Sequence, residues 1–193
     1  MKQGGTTRDR MLASAVTLFR ERGVDSTSFA DVITHSQAPR GSIYHHFPGG
    51  KAQLAEEATQ MAGEMMSATI AANLERREPG ETLQAIVDGF RRQLLDSDFD
   101  ASCPVAAAAL AGGDFAAART IAGGAFTSWE TVIAGGLERR GLAPDRAAAL
   151  ATTAVATIEG AIMVAKAQRD VRALDRVGPE LVRWVDAALT EVA

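Results

Sequence analysis

A single cysteine, Cys103, in a chain of 193 residues leaves no internal disulfide framework and fits a reducing compartment. Aromatic residues make up only 5%, with one tyrosine and three histidines. The histidines offer no metal centre. His45 and His46 are adjacent, so on a helix they diverge by about 100°, and no acid or cysteine stands at ligand spacing. No His or acid arrangement near Cys103 supports catalysis, so neither an enzyme nor a cofactor is expected; a lowered thiol pKa at a helix start or a small buried thiol are both open to Cys103. Long uninterrupted apolar runs are missing too. The most hydrophobic stretch, 147–167, is broken by three threonines, Glu159 and Lys166, and reads as a packed helix with no membrane partner. The N-terminus is polar and shows no signal peptide, which makes a cytoplasmic protein the expectation.

What is abundant is alanine, without β-branched alternation, which points to an all-α chain. The length allows one or two units and an ample core. The net charge of −4 is unevenly placed. Residues 1–51 hold seven Lys/Arg against four Asp/Glu, a net of +3, and residues 52–193 carry −7. A basic head on an acidic body suggests that the head alone meets a polyanion.

Periodicity sets out about nine helices. Thr6 or Thr7 can cap a first helix over 7–22, with Leu12, Ala15, Val16 and Phe19 on one stripe and Gly23 ending it. Thr27 or Ser28 caps a second, short helix, Ser28 and Asp31 having capping-box spacing. Pro39 is expected to restart a third helix that runs to about Phe47. Two short helices joined by a tight turn and packed on a longer one make a helix-turn-helix.

Pro48-Gly49-Gly50 breaks the chain again. A long helix then starts at Lys51 and ends near Pro79-Gly80. At about 1.5 Å per residue it is a rod of roughly 37 Å, able to join a DNA-reading head to a separate body. Further helices are expected from Glu81 to about Asp98, after Cys103-Pro104, from Asp114 to Arg140, from Pro144, and from Gly178-Pro179 through Val192. The paired glycines 123–124 and 135–136 weaken the expectation of continuity across 114–140.

The stretch from Arg40 to Lys51 carries the functional signal. It gathers the only tyrosine and two histidines between two cations, as a short helix offered to nucleic acid would. Arg40 can reach a phosphate or a guanine edge, and Gly41 allows close approach. Ser42, Tyr44, His45 and His46 can donate to phosphates or bases. Thr27 or Ser28 can bond phosphate at a helix start, and Lys51 can join the positive end of the next helix. Ile43 and Phe47, four apart, should face inward.

These parts, in this order, resemble the TetR family of transcriptional regulators. The resemblance is carried by Leu18-Phe19 with Gly23, by Thr27-Ser28-Phe29 with Val32, and by Arg40 to Phe47. In most members a lysine follows the terminal Phe by three residues; here Lys51 follows Phe47 by four, as in the LmrA/YxaF-like branch. Cys103-Pro104-Val105-Ala106 and Glu159-Gly160-Ala161 resemble that branch as well.

The resemblance implies a DNA-binding domain over 1–50 and an effector-binding and dimerisation domain over 51–193. It implies a homodimer on a double-stranded DNA operator, most simply a repressor released by a small apolar effector. An activator of the same fold, or a small-molecule-binding protein or enzyme with a vestigial head, are the alternatives. It implies an effector pocket among Met61, Met65, Phe90, Leu94, Cys103, Phe126, Trp129, Ile133 and Ile162. The dimer face it implies lies on the last two helices, with Val155, Ile158, Gly160, Ala161, Trp184, Val185 and Ala188.

Overall fold

A computed structural model describes residues 6–191, and these form an all-helical chain. Its helices are α1 (Thr7–Arg22), α2 (Phe29–Ser36), α3 (Ser42–His46), α4 (Gly50–Leu74), α5 (Pro79–Asp96), α6 (Pro104–Ala109), α7 (Ala116–Glu138), α8 (Pro144–Gln168) and α9 (Arg172–Thr190). Val192, expected on the last helix, lies outside the described residues.

The chain forms two compact units, one of residues 1–64 with 103–125 and one of 65–102 with 126–193. In the first, α1 packs on α2, α3 and α6. Met11, Leu12, Ala15, Leu18 and Phe19 form the buried stripe of α1 and meet Val24, Val32, Ile43, Phe47 and Leu54 in the core. Both local caps form. The Thr6 hydroxyl accepts from the Asp9 N–H while Asp9 accepts from the Thr6 N–H, and Ser28 and Asp31 repeat the arrangement at α2. Each satisfies two N–H groups that a helix start leaves without partners.

In the second unit α9 packs against α5 and α8. The buried positions of α9 are Leu174, Gly178, Leu181, Val185 and Ala188, a single stripe at helical spacing. α8 is long and apolar enough, by length and composition, to cross a membrane. Its inward positions from Ala147 to Ala165 are nevertheless packed in the unit's own core.

Four boundaries differ from the sequence-based expectation. α3 begins at Ser42 and not at Pro39, because the Pro39 carbonyl is taken by the Ser42 N–H at 3.0 Å and the Ser42 hydroxyl at 2.7 Å in a tight turn. Arg40 and Gly41 therefore precede the helix. α4 ends at Leu74 and α5 starts at Pro79, earlier than expected, with Pro79 in the first turn where its missing N–H costs nothing.

α9 begins at Arg172, so Pro179 is inside it and not at its start. Pro179 removes the N–H that the Asp175 carbonyl would accept, but both residues are exposed, where water can replace it. Finally, α7 runs unbroken through both glycine pairs. A Cβ on Gly136 would come within 2.8 Å of Leu74, so that glycine permits helix contact.

Candidate nucleic-acid interface and cavity

In the first unit, the residues from Arg40 to Lys51 sort by side. Ile43 and Phe47 are fully buried, and α3 packs on α1. The opposite side faces outward: Arg40, Gly41, Tyr44 and His45 are exposed, while Ser42 and His46 are half-buried. Tyr44 is 67% exposed, and its ring rests edge-on against Phe29 of α2 with centroids 5.5 Å apart. That contact aims the phenol outward without burying its hydroxyl. The His45 and His46 rings stand edge to face at 5.4 Å.

Gly41 sits at the helix start with φ −84°, and a Cβ there would meet nothing within 4 Å. The fold itself therefore does not require a glycine. Gly50 is different. Its φ of +73° lies in the left-handed region, where a side chain is strained, and its N–H donates to the Phe47 carbonyl at 2.9 Å. The inserted residue thus turns the chain directly into α4.

Lys51 follows that turn. Its ammonium donates to the Asp25 carbonyl at 2.8 Å and stands 5.1 Å from the centre of the Phe115 ring. The Asp25 carboxylate accepts from the Gly112 N–H at 3.1 Å. Arg8 of α1 pairs with Glu57 of α4 and stacks 5.2 Å over the Phe47 ring.

Of the two candidate caps, Ser28 is exposed and caps α2, whereas Thr27 is buried and its hydroxyl donates to the Gly23 carbonyl at 2.8 Å. Hydrogen bonds from the Ser28 hydroxyl and N–H, with the nearby Arg22 and Lys51 charges, hold the Asp31 carboxyl below its usual range. The Thr6 N–H and hydroxyl do the same for Asp9.

The second unit contains two adjoining cavities. The larger, about 470 Å³, opens between α4 and α5 and is lined by Met66, Thr69, Asn73, Arg77, Gly89 and Phe90, among others. The smaller, about 20 Å³, is lined by Met66, Ile86, Phe90, Trp129, Ile133, Ile158 and Glu159, among others. Of the nine residues expected to form a pocket, Phe90, Trp129 and Ile133 are brought together here. Met65 is 61% exposed, and Leu94 and Ile162 are core residues. Phe126 touches Trp129 edge-on at 5.1 Å without lining either cavity. Met61 and the buried Cys103 belong to the first unit.

Sequence reasoning missed Met66, Thr69, Asn73, Arg77 and Gly89. A signal was present: Thr69, Asn73 and Arg77 recur every four residues on the face that Met66 shares, and Gly89 sits unexplained in mid-helix. Among the described residues no three His, Cys, Asp or Glu side chains gather as a metal-ligand set.

On the last two helices, Ile158, Ala161, Val185 and Ala188 fill their own unit's core, and Val155 is half-buried. Gly160 and Trp184 face outward, joined by Met163 and Val164, which the sequence reading did not single out.

Residues 11–58 match the model for bacterial regulatory proteins of the tetR family, and residues 79–180 match that for the LmrA/YxaF-like transcriptional regulator C-terminal domain. The chain is 43% identical over 191 residues to the HTH-type transcriptional regulator Rv0196 of Mycobacterium tuberculosis, covering 95% of this chain and 96% of that one. It is 31% identical over 172 residues to the HTH-type regulator YxaF of Bacillus subtilis, at 88% and 90% coverage. A TetR transcriptional regulator from Legionella pneumophila shares the fold, with a TM-score of 0.81 over 94% of this chain and 98% of that one, at 22% identity.

Proposed function

The chain belongs to the TetR family of DNA-binding transcriptional regulators, in its LmrA/YxaF-like branch, and we propose that it acts as a homodimeric repressor released from its operator by a small-molecule effector. The observation that carries the reading is the outward side of α3, where Tyr44 and His45 stand exposed beside Arg40 while Ile43 and Phe47 anchor the helix beneath.

In this proposal residues 1–50 read DNA and 51–193 bind effector and dimerise. Arg40, Ser42, Tyr44, His45 and His46 meet phosphates and base edges, Gly41 allows close approach, and Ser28 meets phosphate from the start of α2. Thr27 supports that contact by holding the loop before the cap. Lys51 has one of its three N–H groups on Asp25, which leaves two for a phosphate.

Met163 and Val164 of α8 and Trp184 of α9 favour the homodimer, since large apolar side chains left in water on neighbouring helices fit a self-complementary face. Two heads then read half-sites about 34–36 Å apart. α4 is continuous from Gly50 to Leu74, so an effector that displaces its far end shifts its DNA-side end as well. A preference of a few kcal/mol for the non-binding state suffices for release. Regulation, and not catalysis, is the proposed role, and it is carried out in the cytoplasm.

The test is salt-sensitive, sequence-selective binding of the purified protein to the DNA upstream of its own gene. A protein that ignores sequence there, or whose Arg40→Ala and Tyr44→Phe variants function normally, is not this regulator.

A further inference from the structure

Building on the ligand-responsive reading, we infer that the cavity between α4 and α5 takes an amphipathic organic anion, with its acidic group on the lining arginines and its apolar body against Phe90. The cavity is two-faced. Arg77 and Arg92 line it with a single carboxylate, Asp88, so its charged side chains carry an excess of one positive charge. Asp88 already accepts from the Gln84 amide at 2.9 Å.

Polar residues along α4 form a ladder that finishes on Arg77. The Thr69 carbonyl accepts from the Asn73 amide at 2.8 Å, and the Asn73 carbonyl oxygen accepts from Arg77. One N–H of a guanidinium that has five is used in this way, and the ladder holds Arg77 in place for an acidic partner.

Apolar side chains line the cavity as well. Met66, Ile86 and Phe90 bound both cavities, so a ligand that displaces the Met66 side chain extends its body toward Trp129 and Ile133.

Gly89 supplies an independent sign. It stands in the middle of α5, where glycine weakens a helix, yet a Cβ on it would meet nothing within 4 Å. Packing inside the chain does not explain it. The space its missing side chain leaves belongs to the cavity.

A matched pair of dyes tests the inference on the full-length protein: 8-anilinonaphthalene-1-sulfonate and its uncharged parent N-phenyl-1-naphthylamine. The anion is expected to bind one site per chain. Arg77→Gln with Arg92→Gln, both on the exposed rim, weakens the sulfonate by about tenfold and leaves the neutral dye within about twofold. Gly89→Leu weakens both dyes by about fivefold or more without lowering the melting temperature. Equal losses for the two dyes in the arginine variant, an unchanged sulfonate, indifference to Gly89→Leu, or no saturable site would each overturn it. Operator release is measured separately: a dye that fills the site as described but leaves the DNA complex intact supports this inference and counts against ligand responsiveness.

Discussion

The Lys51 ammonium donates to the backbone carbonyl of Asp25 at 2.8 Å, tying the first turn of α4 to the loop between α1 and α2. The same ammonium sits over the Phe115 ring, and the same aspartate takes the Gly112 N–H through its carboxylate. Three separate stretches of chain are thereby pinned at one joint next to the reading helix.

That joint separates two ways of losing DNA affinity. In the proposed reading Arg40 and Lys51 each hold a phosphate, so Arg40→Ala and Lys51→Met are each expected to lower the slope of log affinity against log salt by about one. Phe115→Leu loosens the joint and removes no cation, so affinity falls while the slope stays. Anisotropy titrations across a salt series distinguish the two; a changed slope for Phe115→Leu would contradict the division.

Tyr44→Phe removes only an exposed hydroxyl. Operator binding weakens by about 1 kcal/mol, and thermal stability is unchanged. Tyr44→Ala also gives up the edge contact with Phe29, a further loss of about 0.5–1.5 kcal/mol that shows in the melting curve.

The glycines at 41 and 50 answer differently to alanine. Gly50→Ala forces a side chain into a left-handed backbone and destabilises the fold by about 1–2 kcal/mol, read from urea melts. Gly41→Ala has open space and leaves stability unaltered, and its effect falls on DNA binding, where the added methyl meets the groove.

Asp9 and Asp31 both have carboxyl pKa values lowered in the folded state by their caps. Their contribution to stability is therefore complete above the unfolded carboxylate value, near 4, and drains away as pH falls through the lower folded values. Ser28→Ala deletes the largest cause of the Asp31 shift. It costs about 1 kcal/mol at neutral pH. That cost shrinks in urea melts as the pH falls below the ordinary carboxylate range, through the lowered folded value of Asp31.

Glutamate at Met163 or Trp184 places a charge on the exposed apolar face of α8 and α9. Light scattering is expected to show a monomer in place of a dimer, with far-ultraviolet circular dichroism retained. A variant that stays dimeric places the interface elsewhere.

Local chemistry was legible in the sequence. The capping box of Ser28 and Asp31, the first helix to its last residue and the inward pair Ile43 and Phe47 follow from spacings of three and four residues, which any single helix must obey, whereas the box that Thr6 forms with Asp9 was not singled out. What failed had tertiary causes. Pro179 reads as a helix start because propensity favours it there, but contacts with α5 extend the helix seven residues upstream, and Gly178 lies against the end of the Gln84 side chain, which a Cβ would have to displace. The cavity was only partly legible. Methionines and aromatics mark apolar surface without saying which way it faces, so Met65 turned out exposed and Met66 lines both cavities. The joint at Lys51 had no sequence signal, since its partners lie 26 and 64 residues away along the chain.

The pinning of Asp25 and Lys51 by Gly112 and Phe115 bears on how such regulators are recombined. A chimaera that grafts residues 1–50 onto another body divides Asp25 from its own Lys51, Gly112 and Phe115, and α1 from the α6 it packs on. The transplanted segment then keeps Arg40 to His46 but loses the contacts that its own Lys51, Gly112 and Phe115 make with or beside Asp25. Exchanging residues 103–125 along with the first 64 moves those contacts together with α3 and follows the division of the chain into its two compact units.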